Sequence, residues 1–481
     1  MFFAVFVRRD CRAFTYQAST TTKTSTSILR TLRIIQPNMP PVALIIIYVA
    51  LALAPLALVA GFSEDITASL RMLAIGCGLV AFAMLLMQFI SSGRIEHICR
   101  KVGINRTMRF HQISTRLLLL LVILHPLLFF IPDSLSELPQ KAGMLARILV
   151  SNYMLSGTIA LFVFLFIVAT SVWRHKLPVK YELWRASHVL GVTVIAVAAA
   201  HHVFSVGFYS REYWLRAFWW VMLVVALGAL GYTYLIKPWF LARSRYRVQS
   251  VRELGQRIWE VTLDPVNLAL AKGRALTFTA GQFAWVNFRA GAIPIFDNPF
   301  SISSSPAELP SIRLLIKARG DGTSRIGELA TGTSVYLDAP HGNFTLTGRK
   351  GDALYLIAGG IGIAPIISIL RDLAHKGDKR PICLLFGAEN LKQLIYAHEI
   401  RALQNELDLK VFFSVHEPPA DWKGGVGDID ANTIRRNLPA AARRCLCFVC
   451  GPTPMMLAVE RHLLATGVPS ANIVYERFEY D

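Results

Sequence analysis

Five histidines lie inside long apolar stretches: His111 and His125 in one, and His188, His201 and His202 in another. An imidazole is costly to hold in such surroundings, which marks each as a metal ligand or proton carrier by default. The step from His111 to His125 is 14 residues, and so is the step from His188 to His202. On an α-helix, 14 residues return to within about 40° of the starting face after a rise of about 21 Å. Each stretch thus presents two imidazoles on one face at two depths. If the helices run in the same direction, His111 pairs in depth with His188, and His125 with His202. Two facing imidazoles at each of two levels are the axial ligand set of two stacked b-type haems. His201 lies ~140° off that face in a straight helix. A π-bulge would bring it round as the alternative to His202. Packing histidines are the plain reading of any single one, and the matched spacing argues against it for the set.

The elements that must carry these residues follow from composition. The chain has 481 residues, 54% hydrophobic and 17% charged, where soluble domains carry about 25% charged residues. Six apolar stretches of near-spanning length run over about 41–62, 69–91, 110–132, 148–172, 184–207 and 213–236. Residues 1–242 hold 22 Lys and Arg against 8 Asp and Glu, while residues 243–481 hold 28 against 23. The basic excess sits in the apolar half, where it reads as membrane topology and not as a nucleic-acid surface. Arg94, Arg100, Lys101, Arg106 and Arg109 separate spans two and three; Arg174, Lys176, Lys180 and Arg185 separate four and five. Glu64, Asp65, Asp133 and Glu137 mark the opposite side. The positive-inside rule then puts both termini in the cytoplasm and makes spans three and five parallel. Arg106, Arg109 and Arg185 either anchor that face or reach the propionates of the inner haem. Residues 1–40 form a basic, Ser- and Thr-rich leader expected to be disordered. Seven cysteines without a paired framework argue against a disulfide-stapled secreted protein. No internal repeat is evident.

Beyond about residue 240 the pattern changes. Short β-like runs at Arg257–Leu263, Gln282–Phe288, Ile312–Lys317 and Ser334–Leu337 predict an antiparallel β-barrel over 241–348. From 349 to 481, alternating strand and helix patterns predict an α/β domain with a parallel sheet. The strand Ala353–Ala358 runs into Gly359, Gly360, Gly362 and Pro365 and then a helical pattern. Such a turn lets backbone approach a pyrophosphate at a helix N-terminus. Cys450, Gly451 and Pro452 end a second apolar strand at the same sheet edge, where Cys450 is expected to line a nicotinamide pocket. In the barrel, Asn298, Pro299, Phe300, Ser301, Ser303 and Ser304, with the turn Gly322, Thr323 and Ser324, offer hydroxyls and amides to a flavin. As residues alone, both stretches are equally ordinary loops.

Together these pieces resemble the ferric reductase / NADPH oxidase superfamily, a six-helix transmembrane haem domain fused to a ferredoxin-reductase-type FAD and NAD(P) module. Asn298-Pro299-Phe300-Ser301 is similar to its flavin motif, with Asn where His is usual. Gly359–Pro365 resembles its Gly-Gly-x-Gly-x-x-Pro nicotinamide motif, Cys450-Gly451-Pro452 its Cys-Gly-Pro motif, and Ala339-Pro340-His341-Gly342 loosely its Gly-Pro-x-Gly turn. Tyr475-Glu476-Arg477-Phe478 resembles its ending, which implies that Phe478 lies near the isoalloxazine. The resemblance implies electron flow from cytoplasmic NADPH or NADH through FAD and two b-type haems, His111/His188 inside and His125/His202 outside. The acceptor beyond the membrane is then ferric iron, with superoxide formation from dioxygen as the alternative. A non-enzymatic membrane protein with a nucleotide-sensing tail is the rival from another class, and it requires no haem.

Overall fold

The computed structural model describes residues 41–60, 70–92, 103–131, 138–267, 276–288, 291–320, 322–438 and 444–476. The expected leader, the acidic loop residues, Arg94, Arg100, Lys101 and Phe478 lie outside the described residues. The apolar half forms α1 (Pro41–Ala60), α2 (Leu70–Gln88), α3 (Ile104–Leu128), α4 (Leu138–Leu149), α5 (Leu155–Val172), α6 (Tyr181–Val206) and α7 (Tyr213–Gly231). All but the 12-residue α4 are long and apolar enough to cross a bilayer. Helices satisfy their own backbone, so this is a multi-pass membrane bundle.

Two boundaries differ from expectation. The third helix starts at Ile104 rather than near 110, because Gly103 (φ +90°) turns the chain and Arg106 and Arg109 continue the helix. The fourth span starts at Leu155 rather than near 148. Polar Gln140 and Arg147 alternate with apolar Leu138, Met144 and Ile148, which makes α4 an amphipathic helix and not the start of a span.

Helices α2 and α3 pack as one pair, and α5 and α6 as another. Their shared core contains Phe82, Leu86, Leu118, Ile195, Leu215 and Trp219. Helix α7 leaves the bundle through a π turn at Tyr232–Ile236 and a helical turn at Lys237–Leu241.

The next six strands are β1 (Tyr246–Gly255), β2 (Ile258–Pro265), β3 (Phe283–Asn287), β4 (Asn298–Ser301), β5 (Ile312–Lys317) and β6 (Ser334–His341). They pair antiparallel in the order β4-β3-β6-β1-β2-β5. β1 was not among the expected strands: its exposed Arg247, Gln249 and Arg252 hide it from an apolar count, although Tyr246 and Val248 are buried.

The last part alternates β7 (Ala353–Gly359), α8 (Ile363–His375), β8 (Ile382–Ala388), β9 (Leu409–Val415), β10 (Gly425–Val426), β11 (Cys445–Cys450), α9 (Thr453–Ala465) and β12 (Ile473–Glu476). All strands are parallel, in the order β10-β9-β8-β7-β11-β12. The runs of β7 and β11 are buried throughout, as a sheet covered on both faces requires. Strand order reverses between β7 and β11, and open α/β sheets bind ligands at such a crevice. The expected sequence of bundle, antiparallel barrel and parallel α/β sheet is the architecture observed.

Candidate functional site

The four spaced histidines meet in the expected pairs. His111 on α3 lies close enough to His188 on α6 to interact electrostatically. His202 stands in the same relation to His125. The His125/His202 pair opens on a cavity of about 560 Å³, which Gly78, Gly157, Phe82 and Trp219 also line. Met144 and Ile148 of α4 close part of its wall. His201 does not line this cavity. It is exposed, with Nδ1 3.0 Å from the Ser156 hydroxyl and Nε2 3.5 Å from that of Ser205. The helix runs past residue 201 without a π-bulge, so His202 and not its neighbour faces His125.

Ring orientation also suits ligation. His125 Nδ1 donates to the Ala74 carbonyl at 2.8 Å. The Ser171 hydroxyl donates to the Ile167 carbonyl at 2.7 Å, which leaves its oxygen to accept from His188 Nδ1 at 3.4 Å. Ser91 donates to Gln88 Oε1 at 3.0 Å and sits 3.4 Å from His111 Nδ1. An Nδ1 committed as donor keeps the lone pair on Nε2, the state a metal-bound imidazole needs. Among the described residues, His202 Nδ1 is buried without a hydrogen-bond partner. The carbonyl equivalent to Ala74 would be that of Tyr153, four residues before Gly157. It falls in the turn before α5, outside the helix. The donor set therefore fits two bis-imidazole haems.

In the barrel, Gly322 lies beside the Asn298 amide: a Cβ there would meet Nδ2 at 3.4 Å. Two sequence-distant stretches are thus brought together next to β4, on which Pro299 and Phe300 also lie. The Ser301 hydroxyl is buried with no hydrogen-bond partner among the described residues. Thr323 closes its own turn, accepting from the Arg319 and Gly320 amides, and the Ser324 amide donates to Gly320. Ser303 and Ser304 are fully buried at the seam with α8. Their hydroxyls engage the Arg313 backbone, and their carbonyls accept from Arg371 and Ser368. They join barrel to sheet.

The glycine turn 359–362 packs against the end of β11. A Cβ on Gly362 would stand 2.2 Å from the Cys450 carbonyl, and one on Gly359 2.4 Å from Met455 Sδ. Gly360 has φ +53°, which a side chain would strain. Pro365 sits in the first turn of α8, where no N–H is needed. Gly451 and Pro452 complete the facing turn before α9. The strand ends leave bare backbone facing the crevice, as a pyrophosphate-binding turn requires.

Residues 77–200 match the family described as "Ferric reductase like transmembrane component", and residues 356–461 match "Oxidoreductase NAD-binding domain". The chain joins a ferric-reductase-like membrane component to an NAD-binding oxidoreductase domain. The resemblance read from the sequence holds for these two regions. Among curated proteins, NADH-cytochrome b5 reductase 1 of Kluyveromyces lactis is 30% identical over 179 residues, covering 35% of this chain and 64% of that protein. The Mortierella alpina protein of that name is 29% identical, covering 36% and 60%. The chain thus spans under two thirds of these relatives. Among solved structures, a ferredoxin reductase of carbazole 1,9a-dioxygenase is 23% identical, covering 49% of this chain and 69% of that one, at a TM-score of 0.42.

Within the Tyr475-Glu476-Arg477-Phe478 ending, the sequence assigned no role to Glu476. Glu476, paired with Cys450 across β12 and β11, is buried, and its Oε2 has no hydrogen-bond partner among the described residues. Burial pushes its carboxyl up to about 8. Burial, and then the Glu476 charge, push the Cys450 thiol well up. The thiol is therefore neutral, and the carboxyl can hold or release a proton near neutral pH. The available signal was a carboxylate ending an apolar strand run; its place directly across from Cys450 comes from the strand pairing.

Arg185, expected either to anchor the basic face or to reach a haem propionate, has a barrel partner that neither expectation included. It is buried against Asp297, with Nη1 2.9 Å from Oδ1, and donates to the Asp297 carbonyl at 3.1 Å. It is thus committed to the barrel.

Proposed function

We propose that this protein passes electrons from cytoplasmic NAD(P)H across the membrane to ferric iron, with both termini in the cytoplasm. The carrying observation is the two-level histidine arrangement, with ring nitrogens already oriented by Ala74, Ser171 and Ser91. When bound, FAD accepts a hydride and yields single electrons, and two b-type haems relay those one at a time. His111 and His188 would hold the inner haem, and His125 and His202 the outer one. Asn298, Ser301 and Gly322 would bind the flavin in the barrel. Gly359, Gly360, Gly362, Gly451 and Pro452 would admit the dinucleotide, with the neutral Cys450 thiol at the nicotinamide end.

Glu389 at the end of β8 supports NADH as donor. Its carboxylate accepts from Gln393 at 2.9 Å and would repel a 2′-phosphate. The curated relatives are also named for NADH. The partners this reading requires are membrane lipid and the electron acceptor, and no nucleic acid enters it.

The test is a reduced-minus-oxidised spectrum of the purified protein. Two b-type haems per chain are expected, halved by His125→Leu; a colourless protein, or an unchanged His125→Leu signal, overturns the assignment. Anaerobic formation of ferrous iron, trapped by a ferrous chelator, is expected with NADH. Oxygen uptake with no ferrous product would make dioxygen the acceptor.

A further inference from the structure

We propose that Trp285 is the coupling residue between the flavin barrel and the inner histidine pair, held in place by Arg185 and Asp297. This rests on the reading that His111 and His188 carry a haem. Trp285 lies on β3 in register with Pro299, inside the flavin-motif strand pair. Its buried indole clusters with Ile104 and Met108 of α3, and Met108 is one turn before His111. The Arg185 guanidinium lies 5.6 Å from the centre of the same ring, and Arg185 is one turn before His188 on α6. A single side chain thus touches the flavin strands and the approach to both inner ligands.

Its support is itself fixed from the barrel side. Asp297, which holds Arg185, immediately precedes Asn298. Burying a charge pair is often no better for stability than apolar packing, so stability alone is a weak reason for it here. What the pair does supply is a set position for the indole between two modules. Reduced flavin, as FADH⁻, gives up two electrons one at a time and one proton. Each electron reduces one ferric iron, and the indole is neither oxidised nor reduced. Trp285 fills with a polarisable ring a gap that would otherwise weaken the coupling.

The experiment uses the full chain with Trp285→Leu and Trp285→Phe in anaerobic stopped flow with NADH. Haem per chain, the dithionite-reduced spectrum and the rate of flavin bleaching should match the unaltered protein. Growth of the reduced haem band should slow about tenfold in Trp285→Leu, equivalent to roughly 1.4 kcal/mol of barrier, and less in Trp285→Phe. A wild-type rate of haem reduction in Trp285→Leu overturns the proposal. So does loss of haem or flavin, which would make Trp285 a binding residue. If Trp285→Leu does not accumulate, Asp297→Asn decides. It should slow haem reduction and spare flavin bleaching, and equal rates of both overturn the proposal. Absence of any haem from the unaltered protein would instead remove the functional reading beneath it.

Discussion

Gly78 on α2 lies directly against the imidazole of His125: a Cβ at residue 78 would stand 2.6 Å from both Nδ1 and Cε1. Gly157 on α5 repeats the relation with His202, 2.6 Å from Nδ1. Ser91 and Ser171 repeat a second relation at the inner level, each 3.4 Å from its histidine. A glycine at one histidine level and a serine at the other, the first serine in the turn just after α2 and the second in the last turn of α5, give the two helix pairs α2/α3 and α5/α6 the same device. The sequence reading found no repeat because only four positions of each pair carry it.

With His125 and His202 holding a haem as proposed, Gly78→Ala should push the His125 ring off its ligating position and cost that haem. We expect the reduced b-type absorbance per chain to fall by about half, and likewise for Gly157→Ala. Gly76→Ala is the control, since its Cβ would meet only Leu56 Cδ2 at an ordinary 3.5 Å. Equal haem content in Gly78→Ala and Gly76→Ala would refute the clearance role.

Ser171→Ala removes the acceptor for His188 Nδ1–H. A histidine that donates from Nδ1 is more basic at Nε2 and favours the ferric state. Losing that bond should raise the midpoint potential of the haem proposed between His111 and His188, by an amount on the order of tens of millivolts. Redox titration of the b-type band reads it, and an unchanged or lower potential would count against the orientation argued here.

Glu476 should make stability depend on pH. Its carboxyl is raised from an ordinary 4.5 to about 8 in the folded protein. The folded state then holds a proton that the unfolded state has lost between those values, so stability falls as pH rises from 4.5 to 8. Glu476→Gln should flatten this slope and be the more stable form at pH 8. Thermal melts across that range in detergent would check it, and parallel curves for the two proteins would sink it.

At the exit from the bundle, the Asp338 carboxylate lies 2.6 Å from Lys237 Nζ and 3.0 Å from His341 Nε2. Burial raises the carboxyl, but His341 and then Lys237 outweigh it and hold it well below the usual range. Its stabilisation is fully present above the unfolded value and lost as pH falls through the folded one. Asp338→Asn leaves a partly buried lysine unpaired and should cost about 3 kcal/mol at neutral pH. A chemical-denaturation midpoint unmoved at pH 7 would show that the pair contributes nothing.

Most of the architecture was legible because it rests on local periodicity. A 14-residue step on a 3.6-residue helix places His111 with His125 on one face, whatever surrounds them. Apolar runs such as Ala353–Ala358 announce buried parallel strands, and the Gly359–Pro365 turn follows from backbone sterics. Strand β1 and helix α4 escaped because their polar faces dilute an apolar count. The choice of His202 over His201 needed the actual helix, since a single π-bulge would have reversed it. Relations between distant segments were beyond any periodicity: Gly78 with His125, Arg185 with Asp297, Trp285 with Met108, Cys450 with Glu476. Each depends on how two elements far apart in the chain pack side by side. Local dihedrals and hydrophobic patterning decide the elements and their faces, whereas close packing and buried charge decide which residues meet across them.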